Sequence, residues 1–262
     1  MIDAVMYSID KIDFAVVAGS GMGKLFVDSI IEEWDYRELF NTQAGSAPSH
    51  RGKAALVRFE GVSFLLMSGR KHFYEGVDAK EVCAAIDFVK RVGVNKIILL
   101  NAAGGFSDRH FVGDLVLIND QVNFQFRNPL RGLGPNLNGV YFPDMSAVYR
   151  NDLTTALKQV ALQHKIELKE GVYLGLTGPS LESKAEYKMI SILGADLVGM
   201  STVPEVHYAN YVGLECAVVS VVSNVFDVLK DDACTEEEIF LAVENSLSNL
   251  EVLLKEFIRC VY

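Results

Sequence analysis

The sequence has few prolines and no long apolar run. Only 6 of its 262 residues are proline, half are apolar and 22% are charged, a balance typical of a packed globular protein and not of a disordered or collagen-like chain. The longest apolar stretches, around Val94–Leu100 and Ala217–Val222, are far shorter than the roughly 20 residues of a membrane helix. The first residues lack the basic start and apolar core of a signal peptide. We therefore expect a cytoplasmic protein with no membrane partner.

Basic residues and cysteines are also scarce. Lysine and arginine number 24 against 34 acidic residues, which gives a net charge of −10 and argues against a nucleic-acid partner. A small anion in a local pocket stays possible. The cysteines form no CxxC pair and no Cys/His spacing typical of zinc, so the sequence predicts reduced thiols and no metal. They are Cys83, Cys216, Cys234 and Cys260.

Short apolar runs alternate with segments of helical period. This alternation predicts an α/β fold with a largely parallel or mixed central β-sheet flanked by helices, and one domain spanning residues 1–262. The predicted strands are Phe14–Ala18, Leu56–Phe59, Val62–Met67, Lys96–Leu100, Asp114–Ile118, Val172–Thr177, Asp196–Met200 and Leu214–Val222. The predicted helices are Ala79–Arg91, Ser146–His164, Leu181–Leu193, Glu205–Tyr211 and Thr235–Cys260.

Hydroxyl residues mark three of the predicted helix starts. Thr235 with Glu238 has the spacing of a capping box, and Thr202 precedes a first turn that contains Pro204. Ser180 is the predicted N-cap of the helix that follows it.

A glycine-rich turn, Gly19–Lys24, follows the first predicted strand. A dinucleotide fingerprint needs a third glycine where Lys24 stands, and a P-loop needs four residues between its glycines, where this chain has three. The turn is either an anion cradle with exposed backbone N–H groups and the Ser20 hydroxyl, or a plain tight turn.

Polar and small residues also follow other predicted strands. Gly69–Gly76 holds an Arg-Lys-His run in which Arg70 can grip an oxyanion through two N–H groups and His72 can donate to it. Alone, such a run is more often a solvated turn. Together the strand ends predict one composite pocket, because the carboxyl ends of strands in α/β sheets meet at one edge. The other strand ends are Asn101–Gly105, Thr177–Glu182, Val198–Thr202 and Asn224.

With these residues assembled, the chain resembles the trimeric class of purine nucleoside phosphorylases, a family that includes methylthioadenosine phosphorylases. The matching runs keep the family's order and span nearly the whole chain. They are AGSGMG (18–23), GRKHFYEG (69–76), LLNAAGGF (99–106), NPLRG (128–132), FPDMSAVY (142–149), GPSLE (178–182) and LGADLVGMSTVPEV (193–206).

The resemblance implies a role for each matching residue, with His72, Glu182 and Asn224 as the catalytic residues. The implied phosphate site consists of Ser20, Arg70, His72, Ser201 and the backbone N–H of Ala102, with His50 at its edge. The implied ribose contacts are Tyr74, Tyr173 and Met200. The implied base site consists of Glu182 and Asn224, which read and activate the purine, with Ala103, Gly104, Leu181, Val198 and Gly199 around them.

The resemblance also implies the reaction. The family cleaves purine (deoxy)ribonucleosides with inorganic phosphate, in purine salvage, as a homotrimer and without a cofactor. Asn224 favours 6-oxopurines such as inosine and guanosine, because a 6-amino purine is better read by an aspartate. The alternatives are a methylthioadenosine phosphorylase and, in another class, a non-catalytic nucleotide-binding module.

Three departures from the family pattern affect the expected specificity. The family's histidine near the start of the last helix is absent, Asn138 replaces a phenylalanine contributed by a neighbouring subunit, and Leu181 replaces a phenylalanine before the base-site glutamate. We expect the 5′-hydroxyl to be read less strictly, unless Tyr173, His207 or a neighbouring subunit replaces the lost contact.

Overall fold

Strands and helices follow one another along the protein. The structure is a computed structural model that describes residues 11–40, 52–106, 108–226 and 235–262. The strands are β1 Phe14–Ala18, β2 Ile30–Asp35, β3 Lys53–Phe59, β4 Val62–Ser68, β5 Lys96–Phe106, β6 Leu115–Asn123, β7 Leu168–Gly175, β8 Leu197–Gly199 and β9 Glu215–Phe226. The α-helices are α1 Tyr36–Phe40, α2 Ala79–Val82, α3 Ala84–Arg91, α4 Asp152–Gln163, α5 Lys184–Ile192, α6 Val203–Tyr211 and α7 Glu236–Val261.

The strands form one nine-stranded mixed sheet in the order β2-β3-β4-β1-β5-β8-β7-β6-β9. Strand β5 also pairs with β9, in parallel, so that β5, β8, β7, β6 and β9 close a ring of pairings. The predicted α/β class with a mixed sheet is therefore confirmed. The ring brings the carboxyl ends of β5 and β9 side by side, with Gly104 opposite Asn224.

Helices cover the sheet on both faces. On one face, Leu157 of α4 and Leu254 and Phe257 of α7 are buried in one apolar cluster with strand residues. On the other, Ile86 of α3 and Val206 of α6 are buried in a second cluster. Strands β1 and β4 are buried along their whole length and β9 over most of its length, which explains why all three are predominantly apolar.

The cap signals at two helix starts are confirmed. The Thr235 hydroxyl accepts from the Glu238 N–H, and the Glu238 carboxylate accepts from the Thr235 N–H. Thr202 occupies the N-cap of α6, with Pro204 in its first turn.

Two predicted helix starts are wrong, and one predicted helix is divided in two. Helix α5 begins at Lys184 because Ser183, not Ser180, is its N-cap and forms a capping box with Glu186. Helix α4 begins at Asp152 and not at 146, because the Asn151 side chain caps it. The predicted helix 79–91 is interrupted at Cys83, whose ψ of 2° leaves the helical range.

The sequence did not predict β2 and α1. In β2, Glu32 and Glu33 are exposed on a strand paired on one side only, to β3, so the apolar alternation of a strand is weak there. Of the helices in the described ranges, none is both long and apolar enough to cross a lipid bilayer.

Candidate active site

A cavity of about 540 Å³ opens where the ends of β1, β4, β5, β8 and β9 meet. A volume of this size suits a small organic ligand. Its lining consists of Ser20, Arg70, His72, Tyr74, Glu75, Asn101, Ala102, Ala103, Gly104, Pro179, Leu181, Glu182, Tyr187, Val198, Gly199, Met200, Ser201, Ser223, Asn224, Glu236, Ile239 and Phe240.

The cavity brings together nearly all of the predicted site residues. Each one that lies in the described ranges lines it, except Tyr173. His50 lies outside the described residues. His207 also stands apart from the lining, with its Nδ1 bonded to the Val203 carbonyl at 2.7 Å, so it does not supply the 5′ contact considered from the sequence.

Tyr173 supports the cavity wall from behind. Its side chain is fully buried, and its hydroxyl accepts a hydrogen bond from the Ser201 N–H at 3.3 Å. A Cβ atom on Gly199 would lie 2.3 Å from that hydroxyl oxygen, which explains why a glycine stands between Tyr173 and the cavity. The expected ribose contact of Tyr173 is therefore replaced by a structural one.

Arg70 lies just after β4 with its guanidinium held on several sides. Its Nη1 donates to the Ser201 hydroxyl at 3.2 Å, and its Nη2 donates to the Val17 carbonyl at 3.3 Å. Its Nε lies 3.3 Å from a carboxylate oxygen of Glu205, and both side chains are buried. The guanidinium is thus a fixed positive group at the cavity, suited to a tetrahedral oxyanion.

His72 is oriented by the carboxylate of Glu75. The Glu75 oxygen accepts from the His72 backbone N–H at 2.8 Å and lies 3.1 Å from the ring Nδ1. The ring stacks on Tyr74 with their centroids 4.6 Å apart. A proton on Nδ1 can therefore be donated to the Glu75 carboxylate, which orients the ring at the cavity.

The glycine-rich turn brings Ser20 close to β5. A Cβ atom on Gly19 would lie 2.9 Å from the Leu100 carbonyl oxygen and 3.4 Å from Nη1 of Arg70. Only glycine lets the backbone approach this closely. Ser20, Arg70 and Ala102 thereby line the same cavity, an arrangement suited to an anion.

At another part of the lining, Glu182 and Asn224 supply an acid and an amide. Burial raises the pKa of the Glu182 carboxyl above its ordinary value. The Asn224 amide stands over Gly104, where a Cβ atom would lie 3.3 Å from Nδ2. Leu181 and Glu182 precede the cap of α5, so they belong to the cavity loop and not to the helix.

Several lining or supporting residues were not predicted from the sequence. Thr202 and Glu205 have the T-x-x-E spacing of a capping box. This spacing predicts a helix start and does not indicate that Glu205 supports a site. Glu236 and Phe240 belong to the first turns of α7, and nothing in the pattern shows which face of that helix meets the cavity. Within the part of the chain that the structure describes, no group of three His, Cys, Asp or Glu side chains is placed to hold a metal.

Comparisons with known proteins assign the chain to a family. The model of the phosphorylase superfamily matches residues 13–259, so the chain belongs to that superfamily. Purine nucleoside phosphorylase 1 of Bacillus subtilis is 36% identical over 93% of this chain and 90% of its own length. The purine nucleoside phosphorylase of Bos taurus is 36% identical over 90% of this chain and 85% of its own.

Solved structures agree with the sequence relatives. Schistosoma purine nucleoside phosphorylase in complex with hypoxanthine matches with a TM-score of 0.86 at 28% identity, covering 99% of this chain and 95% of that one. The Schistosoma mansoni enzyme in complex with inosine gives 0.85 at 28% identity, covering 100% and 96%. The family resemblance and the phosphorylase-type fold expected from the sequence are confirmed.

Proposed function

We propose that this protein is a purine nucleoside phosphorylase that cleaves 6-oxopurine ribonucleosides and deoxyribonucleosides, inosine and guanosine among them, with inorganic phosphate. The products are the free base and (deoxy)ribose 1-phosphate, and the reaction belongs to purine salvage. The observation that carries the proposal is one cavity lined both by a fixed oxyanion cluster, Ser20, Arg70, His72 and Ser201, and by the pair Glu182 and Asn224. Its relatives' names point to the same reaction.

The proposed chemistry breaks one bond and forms one. As the C1′–N9 bond breaks, its electron pair goes to the purine and positive charge develops on the ribose. A phosphate oxygen then bonds to C1′. Arg70 and His72 hold the phosphate, whose negative charge stabilises the ribosyl cation. Asn224 donates to N7 as negative charge grows there, and Glu182 accepts from N1–H.

The choice of a 6-oxopurine depends on Asn224. An amide can donate to N7 and face a 6-oxo group, whereas an aspartate suits a 6-amino group. A methylthioadenosine phosphorylase is the alternative on the same fold. It has support from a related structure, since Schistosoma mansoni purine nucleoside phosphorylase has been solved with adenosine.

The assembly we propose is a homotrimer. Its support is the loop between β6 and α4, which exposes 82% of Phe126, 88% of Leu137 and 85% of Phe142 to solvent. A second copy of the chain would bury these side chains. Analytical ultracentrifugation tests the assembly.

A cytoplasmic location is supported by Cys83, Cys216 and Cys260, which are free thiols.

The test of function is a nucleoside panel with and without phosphate. We expect inosine and guanosine to release base only when phosphate is present, with one (deoxy)ribose 1-phosphate formed per base. Base release without phosphate would indicate a hydrolase, and no turnover of any nucleoside would indicate a binding module. Faster turnover of methylthioadenosine than of inosine would favour the alternative phosphorylase.

A further inference from the structure

Glu205 is a buried carboxylate behind the oxyanion cluster. It lies in the first turn of α6, and its side chain is 1% exposed. One of its oxygens lies 3.3 Å from Nε of Arg70. The other accepts a hydrogen bond from the Thr202 N–H at 3.1 Å. One carboxylate therefore contacts both the arginine and the turn that carries Ser201.

That turn is held in an unfavourable conformation. Thr202 has a φ of 65°, which is costly for a β-branched residue. Its N–H bonds to Glu205, and its hydroxyl accepts from Nδ2 of Asn101 at 2.9 Å. The Ser201 and Thr202 hydroxyls are also 2.9 Å apart. These contacts fix the position of the Ser201 hydroxyl, to which Arg70 donates.

The ion pair has a second consequence for the anion site. The positive charge of Arg70 is offset inside the protein by Glu205, so the pair is neutral before an anion enters. The ion pair serves to orient the two side chains and not to stabilise the fold, because a buried ion pair often gives no more stability to the folded protein than apolar residues of similar volume. Removing one partner, however, leaves a buried charge uncompensated.

We propose that Glu205 is a positioning residue for phosphate: it aligns the guanidinium of Arg70 and the Ser201 hydroxyl for one anion. The inference rests on the proposed function, yet it concerns anion binding and can be measured without turnover. Glutamine at this position keeps the length of the side chain but has one acceptor oxygen. Its neutral amide forms no ion pair with Arg70, although its oxygen can keep the hydrogen bond from the Thr202 N–H.

The experiment measures phosphate binding by calorimetry and, separately, the KM values for phosphate and inosine. In Glu205→Gln we expect the phosphate Kd and KM to rise at least tenfold, with the inosine KM changing less than threefold. Glu205→Asp keeps the charge with a shorter reach, and we expect an intermediate loss. Should Glu205→Gln fail to fold, Glu205→Asp alone must weaken phosphate binding more than inosine binding.

A matched control separates positioning from a general effect on α6. Cys83 donates through Sγ to the Pro204 carbonyl, next to Glu205, and is not part of the cavity lining. Cys83→Ala should lower the melting temperature but leave the phosphate Kd within twofold. A phosphate loss in Cys83→Ala equal to that in Glu205→Gln would overturn the proposal.

A double-mutant cycle supplies the decisive readout. Because Glu205 acts in part through Arg70, the loss of phosphate binding caused by Glu205→Gln should be clearly smaller in the Arg70→Met background than in the unmodified protein. The inference is overturned if the two substitutions weaken phosphate binding by independent factors that multiply in the double variant. It is also overturned if Glu205→Gln leaves the phosphate Kd unchanged, or if it weakens phosphate and inosine binding equally. Absence of nucleoside turnover in the unmodified protein would instead reject the proposed function and leave this binding result standing.

Discussion

Asn224 lines the cavity, and the oxygen of its side-chain amide already accepts a hydrogen bond. The Ser223 hydroxyl donates to Oδ1 at 2.9 Å, so Nδ2 is the group that can donate to a ligand. We expect Asn224→Ala to lower kcat/KM for inosine about 100-fold, as loss of a donor to developing negative charge does. Asn224→Asp should lose inosine turnover and gain activity on adenosine. Near-normal inosine turnover in Asn224→Ala would show that the amide has no catalytic role.

Glu182 predicts a pH dependence. Its ionised carboxylate accepts a hydrogen bond from N1–H more strongly than the neutral acid does, and burial raises the pKa of this carboxyl. The nucleoside kcat/KM should therefore fall on the acid side at a higher pH than an ordinary glutamate would cause. A pH–rate profile of Glu182→Gln should lack this acid limb. If the variant keeps the same limb, another group is responsible for it.

We expect the cavity to be only weakly selective for the 5′-hydroxyl of the ribose. The family's histidine is absent, and in the described part of α7 the lining comes from Glu236, Ile239 and Phe240. A site without a strong hydroxyl contact rejects the deoxy analogue only weakly. Comparison of kcat/KM for inosine and 5′-deoxyinosine should show a penalty below about 100-fold, or about 2.7 kcal/mol. A larger penalty would mean that another group, Glu236 or a neighbouring subunit, binds the hydroxyl firmly.

At the scale of residues, sequence motifs located the cavity lining well because the lining follows strand ends. They could not separate residues that face the cavity from those that support it. Tyr173 lies on a buried strand, where a shift of one position changes the side of the sheet to which a side chain points. Glu205 carries a capping signal that is common in helices with no site nearby.

Among the secondary-structure elements, β8 is tightly packed beside the cavity. Its Gly199 has no room for a side chain, since a Cβ atom would lie 2.3 Å from the Tyr173 hydroxyl oxygen. Gly199→Ala should lower the free energy of unfolding by about 1–3 kcal/mol, as overpacking does.

Gly134 provides the matched control for this substitution, because nothing lies within 4 Å of its Cβ position. Gly134→Ala should change stability by less than about 0.5 kcal/mol. Urea unfolding of both variants makes the comparison. Equal stabilities would refute the steric account of Gly199.

The start of α7 could be predicted because Thr235 and Glu238 form a capping box with no competing cap beside it. The start of α5 was misplaced by three residues because Ser180 and Ser183 are both good caps, and only Ser183 has the glutamate three positions later. Strand β2 could not be predicted, since an edge strand with exposed acids lacks a buried face to impose alternation.

At the scale of the whole molecule, two histidines of the described ranges, His110 and His207, are buried where their charged form is disfavoured. Burial lowers the pKa of both His110 and His207 below the ordinary value. The unfolded chain therefore binds more protons, so stability is full above about pH 6.5 and falls as the pH drops below it. Glu182 acts in the opposite direction, at the lower pH where carboxyls titrate.

Urea unfolding at fixed protein concentration, at pH 7.5 and pH 6, measures this effect. His110→Gln should reduce the difference between the two pH values, because its side chain does not titrate. The same difference in the variant and the unmodified protein would remove His110 from the explanation.

The ring of pairings that β5 and β9 close could not be predicted from the sequence. Apolar runs predicted both strands and the mixed sheet, but strand order and the antiparallel pairing of β8 with β5 depend on which edges meet after the helices pack. Such pairings join segments that are far apart in the chain, so local sequence patterns do not predict them.

The parallel pairing of β5 with β9 also bears on the order of events during folding. Ser20 follows β1 near one end of the chain, and Asn224 lies in β9 near the other, yet both line the same cavity. Loops that span so much sequence close late and slowly, after local helices and the β3–β4 hairpin have formed. Enzymatic activity should thus return in refolding only with the last phase, well after the recovery of helical circular dichroism.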